Sequence, residues 1–186
     1  MVGGRRLSYL DFGGSGTPLL ALHGHYNEAS AFTPLAEALT PQWRVIALDQ
    51  RGHGASARAE SYEREDYVAD VAALHQHLKV GPAVVLGHSL GGVNAYQCAS
   101  RHADRVTALI VEDIGAVVDC DWSFTTSLPR RAPSRDALAS ALGGRLPIWS
   151  APSANRRTAG ASRSRLMTRW RPRKRSTVTT GRIGQR

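Results

Sequence analysis

The sequence predicts an α/β protein, an incomplete doubly wound and mostly parallel sheet, followed by a disordered basic C-terminal tail. Three observations carry this. Short, fully apolar runs alternate with helical patterns through the first two thirds of the chain. Such runs are the signature of strands buried on both faces of a parallel sheet. The unusual polar residues His23, Asp49, Ser89, Glu112 and Asp113 each follow a strand run directly or within a few residues, where sheets of this kind bind ligands. Finally, the character of the chain changes near Ser150, where apolar periodicity ends and Arg, Ser and Thr dominate.

Taken in order, Leu19-Leu20-Ala21-Leu22 reads as a buried strand ending at His23-Gly24. Residues 31–39 form a short helical pattern, with Phe32, Leu35 and Leu39 on one stripe and Ser30 able to cap it. Val45-Ile46-Ala47-Leu48 is a second strand, and the loop from Asp49 to Ala57 contains Gly52 and Gly54. Asp66 can cap a helix on which Val68, Val71, Leu74 and Leu78 recur. Ala83-Val84-Val85-Leu86 is entered through Gly81-Pro82, and a helix over 93–101 and a strand over 106–111 follow. These elements place the N-terminal part of a core in residues 1–120 and the possible start of a cap in 121–150, where Ser134 can cap a helical pattern over 136–142. The basic tail occupies 151–186.

The chain has 186 residues, 42% hydrophobic, and a formal net charge of +9. The length suits one domain with a real core. The charge is lopsided. Residues 151–186 hold 11 Lys and Arg and no acid, which leaves 13 basic against 15 acidic residues in 1–150, a net of −2. The first part is therefore near neutral, and the run Arg169 to Arg175 would attract phosphates without sequence preference. No nucleic-acid recognition motif accompanies it, so no specific nucleic-acid partner is expected. No apolar run is long enough to span a membrane, and the N-terminus lacks the apolar stretch of a signal peptide. The two cysteines, Cys98 and Cys120, make no disulfide framework. A cytoplasmic, soluble protein is the expectation, and the composition leaves its oligomeric state open.

The strongest motif is Gly87-His88-Ser89-Leu90-Gly91, a G-x-S-x-G sequence between a strand and a helix. There the serine sits on a very tight turn that exposes its hydroxyl, and the glycines keep side chains out of the way. The helix N-terminus and the Leu90 N–H can stabilise an oxyanion, and the N–H of His25 is a candidate second donor. Asp49 and Arg51 are expected to brace their loop by pairing with backbone or with each other. A helix-capping serine is the plainer alternative for Ser89, and a buried supporting histidine is preferred for His23. His23-x-His25 and the pair His75 and His77 lack metal-site spacing, and there is no phosphate-loop or dinucleotide fingerprint. No metal or cofactor is expected.

The motifs His23-Gly24, Asp49-x-Arg51-Gly52-x-Gly54-x-Ser56 and Gly87-His88-Ser89-Leu90-Gly91-Gly92 resemble the α/β-hydrolase fold superfamily, in its esterase and haloperoxidase-like serine branch. The resemblance covers roughly residues 7–120. It implies Ser89 as nucleophile, His25 and Leu90 N–H groups as oxyanion hole, and an ester, thioester or lactone as small-molecule substrate. It implies an Asp or Glu next and a late His last. Counted in the family's order the strand over 106–111 is the sixth, so Glu112 or Asp113 is the candidate acid. No histidine follows His102. The expectation is therefore an impaired enzyme whose C-terminal part is truncated or read out of frame. The alternatives are a catalytically dead product and a basic-tailed binder of nucleic acid or anionic surfaces.

Overall fold

The computed structural model describes residues 5–119, 121, 123–129, 131–142 and 176–180. The chain divides into two compact units, Met1–Ile114 with Arg157–Arg186, and Gly115–Arg156. The first unit is a six-stranded sheet with strand order β5-β4-β2-β3-β1-β6.

Strands β2 (Thr17–Leu22), β3 (Trp43–Asp49), β4 (Ala83–His88) and β5 (Val106–Glu112) run parallel. The four apolar runs read from the sequence are the centres of these strands. Strand β1 (Arg5–Asp11) pairs antiparallel with β3, Ser8 lying opposite Asp49. Nothing in the apolar pattern marks β1, because polar Ser8 is as buried as Leu7 and Tyr9. Its burial follows from its place between β3 and β6.

Helix α1 (Thr33–Leu39) is preceded by a 3-10 turn over Ala29–Phe32, so the single helix expected over 31–39 is two pieces. Ser30 does not cap it; its hydroxyl donates to Glu28, and Pro34 opens the helix where a missing N–H is harmless. Helix α2 (Arg64–Leu78) starts earlier than expected, with Glu63 at the N-cap. Asp66 sits at the third helical position and accepts the Glu63 N–H at 3.2 Å, the reciprocal half of a capping box. Helix α3 (Leu90–Arg101) begins immediately after Ser89 rather than at Val93.

Two apolar layers flank the sheet. Leu20, Leu22, Ile46, Leu48 and Val85 pack with Val68, Val71 and Leu74 of α2 and Ala95 and Cys98 of α3. On the other face Leu19, Ala21, Val45, Ala47, Val84 and Leu86 pack with Phe32 and Ala36. Alternate residues of one strand thus feed opposite layers, which is why the strands are apolar throughout. β5 differs. It is the edge strand, and Leu109, Ile110 and Val111 are exposed to 39%, 44% and 39%.

In the second unit α4 (Arg135–Ala141) is capped by Ser134, whose hydroxyl accepts the Ala137 N–H at 3.1 Å. The tail contains one described element. Residues Ser176–Thr180 form strand β6, antiparallel to β1 with Leu7 opposite Val178. These five residues are the described part of the tail read from the sequence as disordered. Their Thr and Val side chains suit a strand, a local preference hidden by the surrounding arginines. The Arg169 to Arg175 run, Cys120 and the rest of the tail lie outside the described residues. Among the described residues no helix is long and apolar enough to cross a membrane.

Candidate active site

The carboxyl ends of β2, β3, β4 and β5 bring the singled-out residues together. Ser89 stands between β4 and α3 at φ 50°, ψ −117°, a conformation costly for any residue with a side chain. It persists because the surroundings over-determine it. The Ser89 N–H donates to the Glu112 carbonyl at 2.9 Å, and the Ser89 carbonyl accepts the Gly92 and Val93 N–H groups at 2.8 and 3.1 Å. The N–H groups of Leu90 and Gly91 precede the first helical bond and lie at the positive end of α3.

The glycines of the motif are steric requirements. A side-chain carbon at Gly87 would run into the Gly91 carbonyl, and one at Gly91 would meet the Leu22 carbonyl. One at Gly24 would fall 2.7 Å from His88 Nδ1 and 3.2 Å from Ser89 Cβ. The loop after β2 therefore passes directly over the serine turn.

That loop is held from below by His23, which is 1% exposed. Its Nδ1 lies 2.7 Å from the Gly24 carbonyl, and its Nε2 lies 3.0 Å from the Gln50 N–H. An acceptor on one side and a donor on the other fix the neutral tautomer with the proton on Nδ1. Burial pushes the His23 pKa down to about 4, against a partly offsetting hydrogen bond to Gly24. Gln50 closes the link by donating its side-chain amide to the His23 carbonyl at 2.5 Å. Its own oxygen accepts from Asn94 Nδ2 at 2.6 Å, and Arg64 Nη1 donates to Asn94 Oδ1 at 2.5 Å. A hydrogen-bonded chain thus runs from the loop after β2, through the loop after β3, to α3 and α2. Sequence reasoning passed over Gln50 and Asn94, neither of which is chemically conspicuous.

Asp49 and Arg51 do not pair with each other. Asp49 accepts the N–H groups of Ala29 at 2.8 Å and Ala55 at 3.0 Å, and Gly54, at φ +50°, leaves room for its carboxylate. Arg51, 1% exposed, meets Asp70 through Nε at 2.8 Å and the Ser61 and Asp66 carbonyls through its two other nitrogens. Its guanidinium lies 5.3 Å over the Tyr67 ring. Gly52, at φ +74°, lies against Tyr62. The reason is geometric: the two side chains leave a tight loop in opposite directions, one toward the 3-10 turn and one toward α2.

Glu112 ends β5 opposite His88, and its backbone carbonyl holds Ser89. Asp113 follows at φ 56°, and its exposed carboxylate lies 3.6 Å from His88 Nε2. The His25 ring is exposed, 6.3 Å from the His53 ring, which is 5.1 Å from that of His23. Among the described residues no group of three or more His, Cys, Asp or Glu side chains could hold a metal ion.

The family model for the alpha/beta hydrolase fold matches residues 17–182. A 2-(acetamidomethylene)succinate hydrolase from Mesorhizobium japonicum is 37% identical over 109 residues, covering 58% of this chain and 39% of that protein. A pimeloyl-[acyl-carrier protein] methyl ester esterase from Chromobacterium violaceum is 36% identical over 171 residues, covering 86% of this chain and 64% of that protein. Among solved structures, a marine microorganism esterase superposes with a TM-score of 0.67 at 27% identity, over 76% of this chain and 59% of its own. The chain spans less than two thirds of each of these three proteins. With every strand but β1 inside the matched range and the strand–serine–helix turn in place, the chain belongs to the α/β hydrolase fold family.

Proposed function

We propose that the protein is a serine hydrolase of carboxylic esters, thioesters or lactones, with Ser89 as the nucleophile. The observation that carries this is the Ser89 backbone at φ 50° between β4 and α3, directly beneath the loop containing Gly24. A helix cap needs no such strain; presenting a hydroxyl at a helix N-terminus does. The Ser89 oxygen attacks the substrate carbonyl carbon, and the carbonyl oxygen gathers negative charge. The N–H groups of Leu90 and His25 form the oxyanion hole that receives it. Of the two candidate acids, Asp113 is the better supported, because its carboxylate approaches an imidazole, whereas Glu112 acts on Ser89 through its backbone carbonyl.

A serine hydroxyl needs a base to take its proton. Within these 186 residues no histidine follows His102, so this stretch taken by itself would hand the proton to solvent and turn over slowly. Oxyanion stabilisation and binding without a complete triad still leave roughly 10³–10⁴-fold acceleration over water. Hydrolysis of p-nitrophenyl butyrate beside Ser89→Ala tests the assignment. Release of nitrophenolate that falls to background in the variant supports it, and equal rates in the two proteins overturn it. A fluorophosphonate probe that labels the parent protein but not Ser89→Ala gives the same answer without turnover.

A further inference from the structure

Arg64 pairs with neither of the acids that flank it in the chain, Glu63 and Glu65. It opens α2, is only partly exposed, and among the described residues forms no ion pair. The carboxylates near it in the chain or the fold are committed elsewhere: Glu63 to the backbone of the α2 capping box, Asp70 and Asp66 to Arg51, Glu65 to Arg101, Asp49 to backbone N–H groups. Its one hydrogen bond in the described structure, from Nη1 to Asn94 Oδ1, goes to a neutral amide. A guanidinium carries five N–H donors in a planar fork, so the rest of the fork is unspent.

The Asn94 bond also fixes where that fork sits. Asn94 is fully buried and bonded to Gln50, which holds the carbonyl of His23, two residues before His25. Arg64 is thus tied through three hydrogen bonds to the loop that covers Ser89. Its charge reaches the His25 imidazole, whose pKa is lowered first by partial desolvation against the neighbouring loops, then by His53 and Arg64. Tyr67, on the same helix, feels the same charge. The groups on which its charge registers are therefore His25 and Tyr67, neither of them an anion at neutral pH.

From this geometry we infer that Arg64 binds a carboxylate borne by the substrate, at a point displaced from the scissile carbonyl. The inference rests on the hydrolase reading for what the carboxylate belongs to, an acyl chain with a free acid at its far end. A carboxylate suits the fork: it accepts two parallel N–H bonds and neutralises one positive charge.

Equilibrium binding tests this without catalysis. Glutarate and its uncharged counterpart glutaramide are titrated at pH 7 into the full chain and followed by calorimetry. Saturable glutarate binding at least tenfold tighter than that of glutaramide is expected. Arg64→Gln should remove that preference, and Arg64→Lys, which keeps the charge but not the fork, should retain part of it. Equal binding of acid and amide to the parent protein overturns the inference even if neither variant folds. So does a folded Arg64→Gln that still prefers glutarate. Kinetics give a second readout: the ratio of KM for the p-nitrophenyl monoester of glutaric acid to KM for p-nitrophenyl butyrate should rise about tenfold in Arg64→Gln. If no ester is cleaved in a Ser89-dependent way, the hydrolase reading fails, and glutarate binding still decides the role of Arg64.

Discussion

Acidification should loosen the protein through His23. The imidazole is neutral and buried in the folded chain, with a pKa of about 4 against an ordinary 6.5. Between those values the unfolded chain binds one proton that the folded chain refuses. Stability therefore falls as pH drops below 6.5 and stops falling, for this group, below about 4. Each unit of pH in that window costs about 1.4 kcal/mol, so about 2 kcal/mol is lost between pH 7 and pH 5, and about 3 in all. The structural event is specific. A proton on Nε2 removes the acceptor for the Gln50 N–H and parts the loops after β2 and β3. Urea unfolding at pH 7, 6 and 5, compared with His23→Gln, isolates the contribution. The parent protein should lose stability over this range, and the variant, less stable at pH 7, should lose at least 1 kcal/mol less. The His25 and His75 pKa values are lowered too, mainly by partial desolvation, and their shares cancel in the comparison. Parallel pH profiles for the two proteins, or an imidazole resonance of His23 titrating near 6.5, would refute the reasoning.

Other consequences follow from single contacts. Asp70→Ala leaves the buried Nε–H of Arg51 without its acceptor while Asp66 still balances the charge, which should cost about 2 kcal/mol and lower Tm by roughly 6 °C in calorimetry. Ser8→Ala should do the opposite. The Ser8 hydroxyl is buried with no hydrogen-bond partner among the described residues, so its removal should add about 1 kcal/mol in urea unfolding. Ile110→Lys places a charge on the exposed apolar edge strand β5. It should reduce light scattering at a given protein concentration, because bare apolar edges pair with one another.

How much of this was legible in the sequence depended on the kind of signal. The four parallel strands were readable because burial on both faces forces every residue to be apolar. β1 was not, because its core face includes Ser8, and β6 was not, because a five-residue strand made by pairing leaves no periodic trace. Helix starts differ by three residues where the capping residue is Glu63 or the strained Ser89 rather than a familiar cap. The serine turn was readable since its glycines are imposed by backbone collisions within a pentapeptide. The partners of Asp49 and Arg51 were not: each side chain reaches residues 19 or 20 positions away, a distance no local pattern reports. Gln50, Asn94 and Arg64 escaped notice for the same reason.

The buried polar residues show what the fold spends its polarity on. His23, Asp49, Gln50, Arg51, Ser56, Asp70 and Asn94 are all buried, and every one is hydrogen-bonded within or against the two loops after β2 and β3. Burying polar groups is costly even when they are paired, and apolar side chains would hold a sheet together as well. What apolar side chains cannot do is fix a backbone N–H in direction, since only a hydrogen bond is directional. A loop held at His23, Gln50 and Asn94 keeps the His25 N–H and the Arg64 fork in a set relation to Ser89. In the hydrolase proposed above, charge developing on the substrate would then meet donors already in place, which is where electrostatic catalysis gains most over water. The same rigidity means that Asn94→Ala, remote from the serine hydroxyl itself, should change substrate preference as well as stability, because it frees the loop and the cation together.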